Sequence, residues 1–372
     1  FFNDTATTEI YTGVDTLSLH DALPIAARST VLRQPSSSSA GSVEIRCMSE
    51  MNVTRSNPWR SDGSLRHLLT LESLSKPLLE TLLKRSAHYS APLSEPAARS
   101  NALSGKTVAL MFAEPSTRTR VSFELAARRL GADVINIEVQ LSSRLKGESV
   151  LDTVATLESM HVDAFVLRDS DASIPEMVAT HVAPRVSVIS GGAGSLSHPT
   201  QGLLDALTVQ QHLGRIEGLT IAIVGDVKHS RVARSAAQIF TALGAGEVRL
   251  VAPAGLMPDA VEFAGCTRFE NLDRGIHDCD VVMMLRIQKE RMTAAAIPDE
   301  ARYFQEWGLT RERLQRAKPG ALVMHPQPMN RGVEIASDVA DGPQSVIRDQ
   351  VRHGVAVRMA VLETVLLRGD QP

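Results

Sequence analysis

From about Ser64 onward the chain alternates short β-branched runs with longer amphipathic segments, and that rotation leaves few folds open to it. Strand-like runs fall at 107–112, 134–137, 164–167, 186–189, 220–224, 248–252, 281–285 and 322–324. Helical patterns fall at 71–89, 119–130, 150–160, 174–180, 200–213, 231–243 and 346–367. Strand, helix, strand in rotation predicts parallel sheets covered on both faces, since a parallel neighbour is reached only by a crossover long enough to hold a helix. The segment carrying Leu203, Leu207 and Val209 has four runs before it and four after, which favours two α/β domains of similar size, at 64–205 and 206–345. The last helical pattern, 346–367, has no strand after it and is expected to pack back on the first domain. A chain of 372 residues is long enough for two such cores.

Composition narrows the partners. A formal net charge of -3 gives no electrostatic footprint for nucleic acid, and the absence of any long apolar run argues against a membrane span. A small-molecule partner is the default. Cys47, Cys266 and Cys279 are widely spaced and form neither a CxxC nor a Cys/His cluster, which argues against a zinc site or a disulfide framework and for a reducing, cytoplasmic compartment. No GxGxxG follows any strand-like run, so no dinucleotide cofactor, and indeed no cofactor, is expected.

The first 50 residues stand apart. FFNDTATTEIYT at 1–12 and LSLHDALPI at 17–25 resemble the translation of sequencing-adapter DNA. Residues 26–47 carry Arg28, Arg33, Arg46 and the serine run 36–39 against one acid, Glu44, a composition that passes for a transit peptide but lacks an amphipathic pattern. The expectation is a non-native or disordered leader over 1–50, with a start at Met48 or Met51.

Two stretches carry chemistry. EPSTRTRVSFE at 114–124 follows a strand-like run and opens a helical one, where unpaired backbone N–H groups and the helix dipole favour an anion. Ser116, Thr117 and Thr119 add hydroxyls, and Arg118 adds a planar fork matched to phosphate oxygens. The alternative is a serine or threonine N-cap beside a solvated arginine face, which explains one hydroxyl but not three. SHPTQGLLDAL at 197–207 also opens a helix, with Pro199 in its first turn, and places His198 and Gln201 three apart. Read alone, His198 is more often a structural hydrogen-bonding residue than a catalyst.

STRTR with SFE, LKGES at 145–149, HPTQ, DVKHSRVARS at 226–235, RIQKER at 286–291 and HPQPMNRGVEI at 325–335 resemble, in this order, the motifs of the aspartate carbamoyltransferase catalytic chains. The likeness runs from about Leu68 to Leu366, and the PMNRGVEI continuation is similar to bacterial forms. The resemblance implies a carbamoyl-phosphate domain, then an aspartate domain, in a cytoplasmic homotrimer with active sites shared between subunits and working in pyrimidine biosynthesis. A regulatory or dihydroorotase-like chain is a possible further partner.

Carried over residue by residue, the resemblance implies that Ser116, Thr117, Arg118 and Thr119 hold the phosphate of carbamoyl phosphate. Thr119, Arg168 and His198 would reach its carbonyl oxygen, and Gln201 its amino group. Ser142 and Lys146 would enter from the neighbouring subunit. Arg231, Arg286, Gln288 and Lys146 would hold the carboxylates of L-aspartate, and the backbone carbonyls of Pro326 and Gln327 would position both substrates. Arg118, Thr119, Lys146, Arg168 and His198 would be the catalytic set, with no metal. The segment 288–314 is polar and charged; the resemblance implies a loop closing over bound aspartate. Gln327 departs from the Leu or Gly of many members, and Leu145 from a second lysine in some. The nearest rival, the ornithine carbamoyltransferases, carries a cysteine where this chain has Pro326. A non-catalytic transcarbamoylase-like subunit is the rival of another class.

Overall fold

The computed structural model describes residues 56–72, 74–91, 100–137, 148–292 and 299–367. The predicted leader over 1–50 lies outside them, as do Ser142 and Lys146. The first sheet has four parallel strands, β1 (Thr107–Phe112), β2 (Asp133–Ile137), β3 (Ala164–Asp169) and β4 (Ser187–Ala193), in the order β2-β1-β3-β4. The second has five, β5 (Thr220–Val224), β6 (Glu247–Val251), β7 (Thr267–Phe269), β8 (Val281–Met284) and β9 (Leu322–Met324), in the order β7-β6-β5-β8-β9 and again parallel. Every residue of β3, β4, β8 and β9 is buried, as expected of parallel strands with helices on both faces.

Helices α1 (Lys76–Ser90), α2 (Thr117–Arg129), α3 (Val150–Ser159) and α4 (Ile174–His181) belong with the first sheet. Helix α5 (Pro199–Leu213) leaves the first sheet and packs on α6 (Arg231–Ala242) beside the second. It is buried on every side from Pro199 to Val209. Three short helices, α7 (Leu272–Gly275), α8 (Glu300–Trp307) and α9 (Arg311–Leu314), lie among the later strands, and α10 (Ser337–Ala340) precedes the last. Helix α11 (Ile347–Leu366) returns to pack on α1, α2 and α5, as the unpaired final pattern predicted. Val357, Met359, Val361, Leu362 and Val365 are buried there, and each such side chain contributes roughly 2 kcal/mol by leaving water. Among the described residues no helix is long and apolar enough to cross a membrane.

Three differences from the sequence expectation have physical causes. Helix α1 begins at Lys76 rather than Leu71, because Pro77 stands in its first turn and, further inside, would lack a donor and clash with the preceding turn. Strand β7 escapes a search for β-branched runs because it is a three-residue edge strand with Thr267 and Arg268 exposed. The polar segment 288–314 is not a continuous loop: it includes α8, which buries Tyr303 and Trp307, and α9.

Several polar groups are sealed inside the fold. His67 accepts the Val188 N–H at Nδ1 (3.0 Å), and burial, with Arg66 and Arg60 nearby, pushes its imidazole down to about 3. Burial likewise takes His353, which pairs with Thr208 Oγ1 at 2.9 Å, down to about 4. Both folded values lie below the unfolded 6.5, so below pH 6.5 the unfolded chain binds protons that the native protein refuses. Stability should therefore fall with pH, by up to ~1.4 kcal/mol per unit for each histidine, until the folded values are reached. Thermal unfolding from pH 7 to 4 should show a declining midpoint, and His67→Asn should flatten that decline; an unchanged slope would refute the assignment.

Candidate active site

Both sheets present their switch points to one cleft. In the first sheet the chain reverses direction of growth between β1 and β3, and in the second between β5 and β8. Crevices form at the carboxyl ends of strands at such points. The segments that leave those ends are 113–119 after β1, Arg168 at the end of β3, 225–231 after β5 and 285–288 after β8. They line a cleft of about 640 Å³, together with the start of α5, the turn after β9 and one face of α11.

One wall is the N-terminus of α2. Ser116 occupies the N-cap position but makes no capping bond; its hydroxyl donates to Thr119 Oγ1 at 3.0 Å. The simple N-cap reading of this serine therefore fails, and the first-turn N–H groups stay open to an anion. Arg118 lines the same wall, its pKa lowered by burial and then by the charge of Arg286. His198 holds the N-cap position of α5, also without a side-chain cap, while its backbone N–H donates to Ser235 Oγ at 2.9 Å. Burial first, then the charges of Arg168, Arg231 and Arg358, hold the His198 imidazole well below its ordinary value. At neutral pH the ring is therefore uncharged.

The centre is a partly buried ion cluster around Glu114, in which Arg168 and Arg231 are the buried members. Its carboxylate accepts from Arg168 Nη2 at 2.6 Å and from Arg231 Nη1 at 2.9 Å, with a second, shorter bond from Arg231 Nη2. Arg291 stands 3.9 Å away. Burial opposes ionisation of Glu114, but the Arg231 hydrogen bond and the charges of Arg168, Arg231 and Arg291 prevail and lower its pKa. Arg168 is taken down to about 10 by burial and the neighbouring Arg231, so it stays charged at neutral pH. Its register is set by a bulge: Leu167 pairs with Ser190 and Arg168 with Gly192, leaving Gly191 between, whose carbonyl accepts from Arg168 Nη1 at 3.1 Å. Gly192 is at φ +130°, and a Cβ there would stand 2.8 Å from Arg168 Nη1, so only glycine lets both arginines sit this close to the strand.

The second sheet supplies the other end. Ser230 caps α6 by accepting from the Ala233 N–H, which starts that helix with Arg231 pointing to Glu114. Arg286 leaves β8 bonded to Glu290, with Nη1 to Oε2 at 3.0 Å. Gln288 is tethered by its backbone N–H to Asp226 Oδ2 at 3.0 Å, and Asp226 Oδ1 also receives His229 Nδ1 at 2.8 Å. In the turn after β9 the Gln327–Pro328 bond is cis, and Gln327 sits at φ +56° with its N–H donated to His325 Nδ1 at 2.9 Å. The same His325 meets Glu334 Oε1 through Nε2 at 3.1 Å, which holds the ring and, through the Gln327 N–H, the peptide plane that carries the Pro326 carbonyl.

Of the predicted residues, Ser116, Thr117, Arg118, Thr119, Arg168, His198, Gln201, Arg231, Arg286, Gln288, Pro326 and Gln327 all line this one cleft. Ser142 and Lys146 lie outside the described residues. Sequence reasoning gave no role to Glu114, although it adjoins STRTR, nor to Arg291. It also passed over Gln350, Gly354 and Arg358, which line the cleft from α11. Their four-residue spacing in an otherwise apolar helix was the available signal.

Comparison with known proteins shows the family. Two family models match, the aspartate/ornithine carbamoyltransferase carbamoyl-phosphate-binding domain over residues 66–211 and the Asp/Orn-binding domain over 217–365. The chain belongs to the aspartate/ornithine carbamoyltransferase family. Among solved carbamoyltransferases it is similar to the aspartate transcarbamoylase of Trypanosoma cruzi in complex with carbamoyl aspartate and phosphate, at 31% identity over 81% of this chain and 96% of that one, TM-score 0.74. It is similar to the ornithine carbamoyltransferase of Pyrococcus furiosus at 31% identity over 81% and 97%, TM-score 0.72. The Thermus thermophilus ornithine enzyme matches at 26% over 81% and 99%, TM-score 0.71. Carbamoyltransferases of both acceptor types thus share this fold.

Glu114→Gln should keep the side-chain shape but lose one of the two acceptor oxygens and the charge that compensates Arg168 and Arg231. Charge-assisted bonds of ~1.5–3 kcal/mol are at stake, so kcat/KM should fall about 10- to 100-fold. Steady-state kinetics on a variant of unchanged circular dichroism checks this, and a wild-type rate would contradict it.

Proposed function

We propose that this carbamoyltransferase uses L-aspartate as acceptor, giving N-carbamoyl-L-aspartate and phosphate, a step of pyrimidine biosynthesis. The observation that carries the choice is the charge around the cleft. Six arginines line it, Arg118, Arg168, Arg231, Arg286, Arg291 and Arg358, against two acids, Glu114 and Glu290, both already bonded to arginines. That surplus suits a phosphate with two carboxylates and leaves no lining acid, among the described residues, for the side-chain ammonium of ornithine. Pro326, where the ornithine enzymes carry a cysteine, supports the same reading.

In the proposed reaction Ser116, Thr117, Arg118 and Thr119, with the N-terminus of α2, bind the phosphate. Arg231 and Arg286 grip the carboxylates, with Gln288 beside them. The aspartate amine attacks the carbamoyl carbon, negative charge develops on the carbonyl oxygen, and Thr119, Arg168 and His198 donate to it. A neutral imidazole serves as a hydrogen-bond donor without losing its proton. The C–O bond to phosphate then breaks, the departing phosphate taking the amine proton. Holding both reactants in near-attack geometry replaces any covalent nucleophile.

The active form is proposed as a homotrimer, with Ser142 and Lys146 completing a neighbour's site. Val121 and Leu125, apolar and partly exposed on α2, support a subunit contact beside the phosphate wall. The domain limits of 64–205 and 206–345 are retained as the two substrate-binding halves, with 346–367 as the returning helix.

A carbamoyl-transfer assay with aspartate, ornithine and N-acetylornithine should show turnover with aspartate alone; preference for another acceptor would sink the assignment. Removing one oxyanion donor by His198→Ala should cut kcat about 100- to 1000-fold. Arg118→Ala should abolish turnover with the fold intact. Chains inactivated by Arg118→Ala and by Lys146→Ala should regain activity when mixed and reassembled, whereas persistent inactivity would argue against shared sites.

A further inference from the structure

Asp205 lies on α5 one turn beyond Gln201, has no exposed surface, and is outside the substrate-contacting set. One of its oxygens does two tasks. Oδ1 accepts from Gln201 Nε2 at 3.0 Å and from Gln350 Nε2 of α11 at 2.8 Å. Gln350 in turn accepts the His325 N–H at Oε1 (2.9 Å), at the start of the turn that carries Pro326 and Gln327. The orientation of Gln350 is therefore forced, since its oxygen must meet an N–H and its nitrogen the carboxylate. Oδ2 of Asp205 is buried with no hydrogen-bond partner.

We infer that Asp205 is a positioning residue that makes Gln201 present its amide oxygen, and not its nitrogen, to the cleft, so that the site distinguishes a carbamoyl group from an acyl group of the same shape. A carboxylate oxygen accepts only, so Gln201 must turn its NH2 towards Asp205. Its carbonyl oxygen is then left for the ligand. A carbamoyl NH2 donates to that oxygen; a methyl group in its place does not, and the site loses a hydrogen bond. Protonation does not undo the arrangement. Burial pushes the carboxyl up to about 7, and a proton on the unpartnered Oδ2 leaves Oδ1 as acceptor. Through Gln350 the same oxygen ties this choice to the turn after β9, linking the carbamoyl end of the cleft to the second sheet.

The inference rests on the proposed binding of carbamoyl phosphate, and the test separates the two. Phosphonoacetamide and phosphonoacetone are stable analogues of the donor that differ by NH2 against CH3. Calorimetry on the full-length protein should give a preference for the amide that drops about five- to tenfold in Asp205→Ala, as one hydrogen bond is lost. Asp205→Asn, whose oxygen can stand in for Oδ1, should restore most of it. Gln201→Ala should lose the same preference as Asp205→Ala, and this comparison stands even if Asp205→Ala does not fold. Equal weakening towards both analogues in Asp205→Ala, or an undiminished preference in Gln201→Ala, overturns the inference. If the unaltered protein transfers no carbamoyl group and binds neither analogue, the functional reading fails and the inference with it.

Discussion

The carboxylate of Glu114 is the interaction on which the site depends. It stands just beyond β1 in the first sheet and holds Arg168 from β3 of that sheet and Arg231 from α6 beside the second. Two guanidinium groups so close and so little solvated would repel one another, and burying either alone costs several kcal/mol. A single acid bonded to both offsets these costs and ties a strand of the first sheet to a helix beside the second. Such a buried pair is weak as a source of stability, because a hydrophobic substitute packs as well. Its value is geometric: it fixes where two cations point.

Around that cluster the fold uses helix N-termini in two ways. Ser230 caps α6 in the ordinary manner, and the start of that helix carries Arg231 to the cleft. Ser116 and His198 stand at the same position of α2 and α5 without capping, so the donors there face the cleft. The proteins with which this chain shares its fold include aspartate and ornithine enzymes, which is consistent with a common donor half and an acceptor half that differs. In this chain the acceptor half is rich in guanidinium groups.

Helices α5 and α11 meet along a seam that is polar where most interior contacts are apolar. Thr208 with His353 and Asp205 with Gln350 run along it, ending at Arg358, whose guanidinium lies over the Phe123 ring at 5.0 Å. Burial and the charge of Arg168 bring Arg358 down to about 9, and Asp205 acts the other way. Buried polar networks are costly when half satisfied. This one leaves Asp205 Oδ2 and Arg358 Nε without partners, and Arg358 lines the cleft.

The sequence by itself determined the parallel α/β class, the four strands before the central helix, four of the five after it, the returning last helix and the motif residues that come together at one cleft. Periodicity and the spacing of hydroxyls and arginines are local properties, and local properties survive without coordinates. It missed β7 and α8, which are short and marginal in pattern, and it placed the start of α1 too early by overlooking Pro77. The tertiary structure alone decided that Glu114 bridges Arg168 and Arg231, that Ser116 is no cap, and that Asp205 governs Gln201 through one oxygen. Each of those depends on strand order, on the bulge at Gly191, or on α11 folding back across 145 residues from Asp205 to Gln350. Contacts between groups so distant along the chain follow from packing, which no single stretch of sequence encodes.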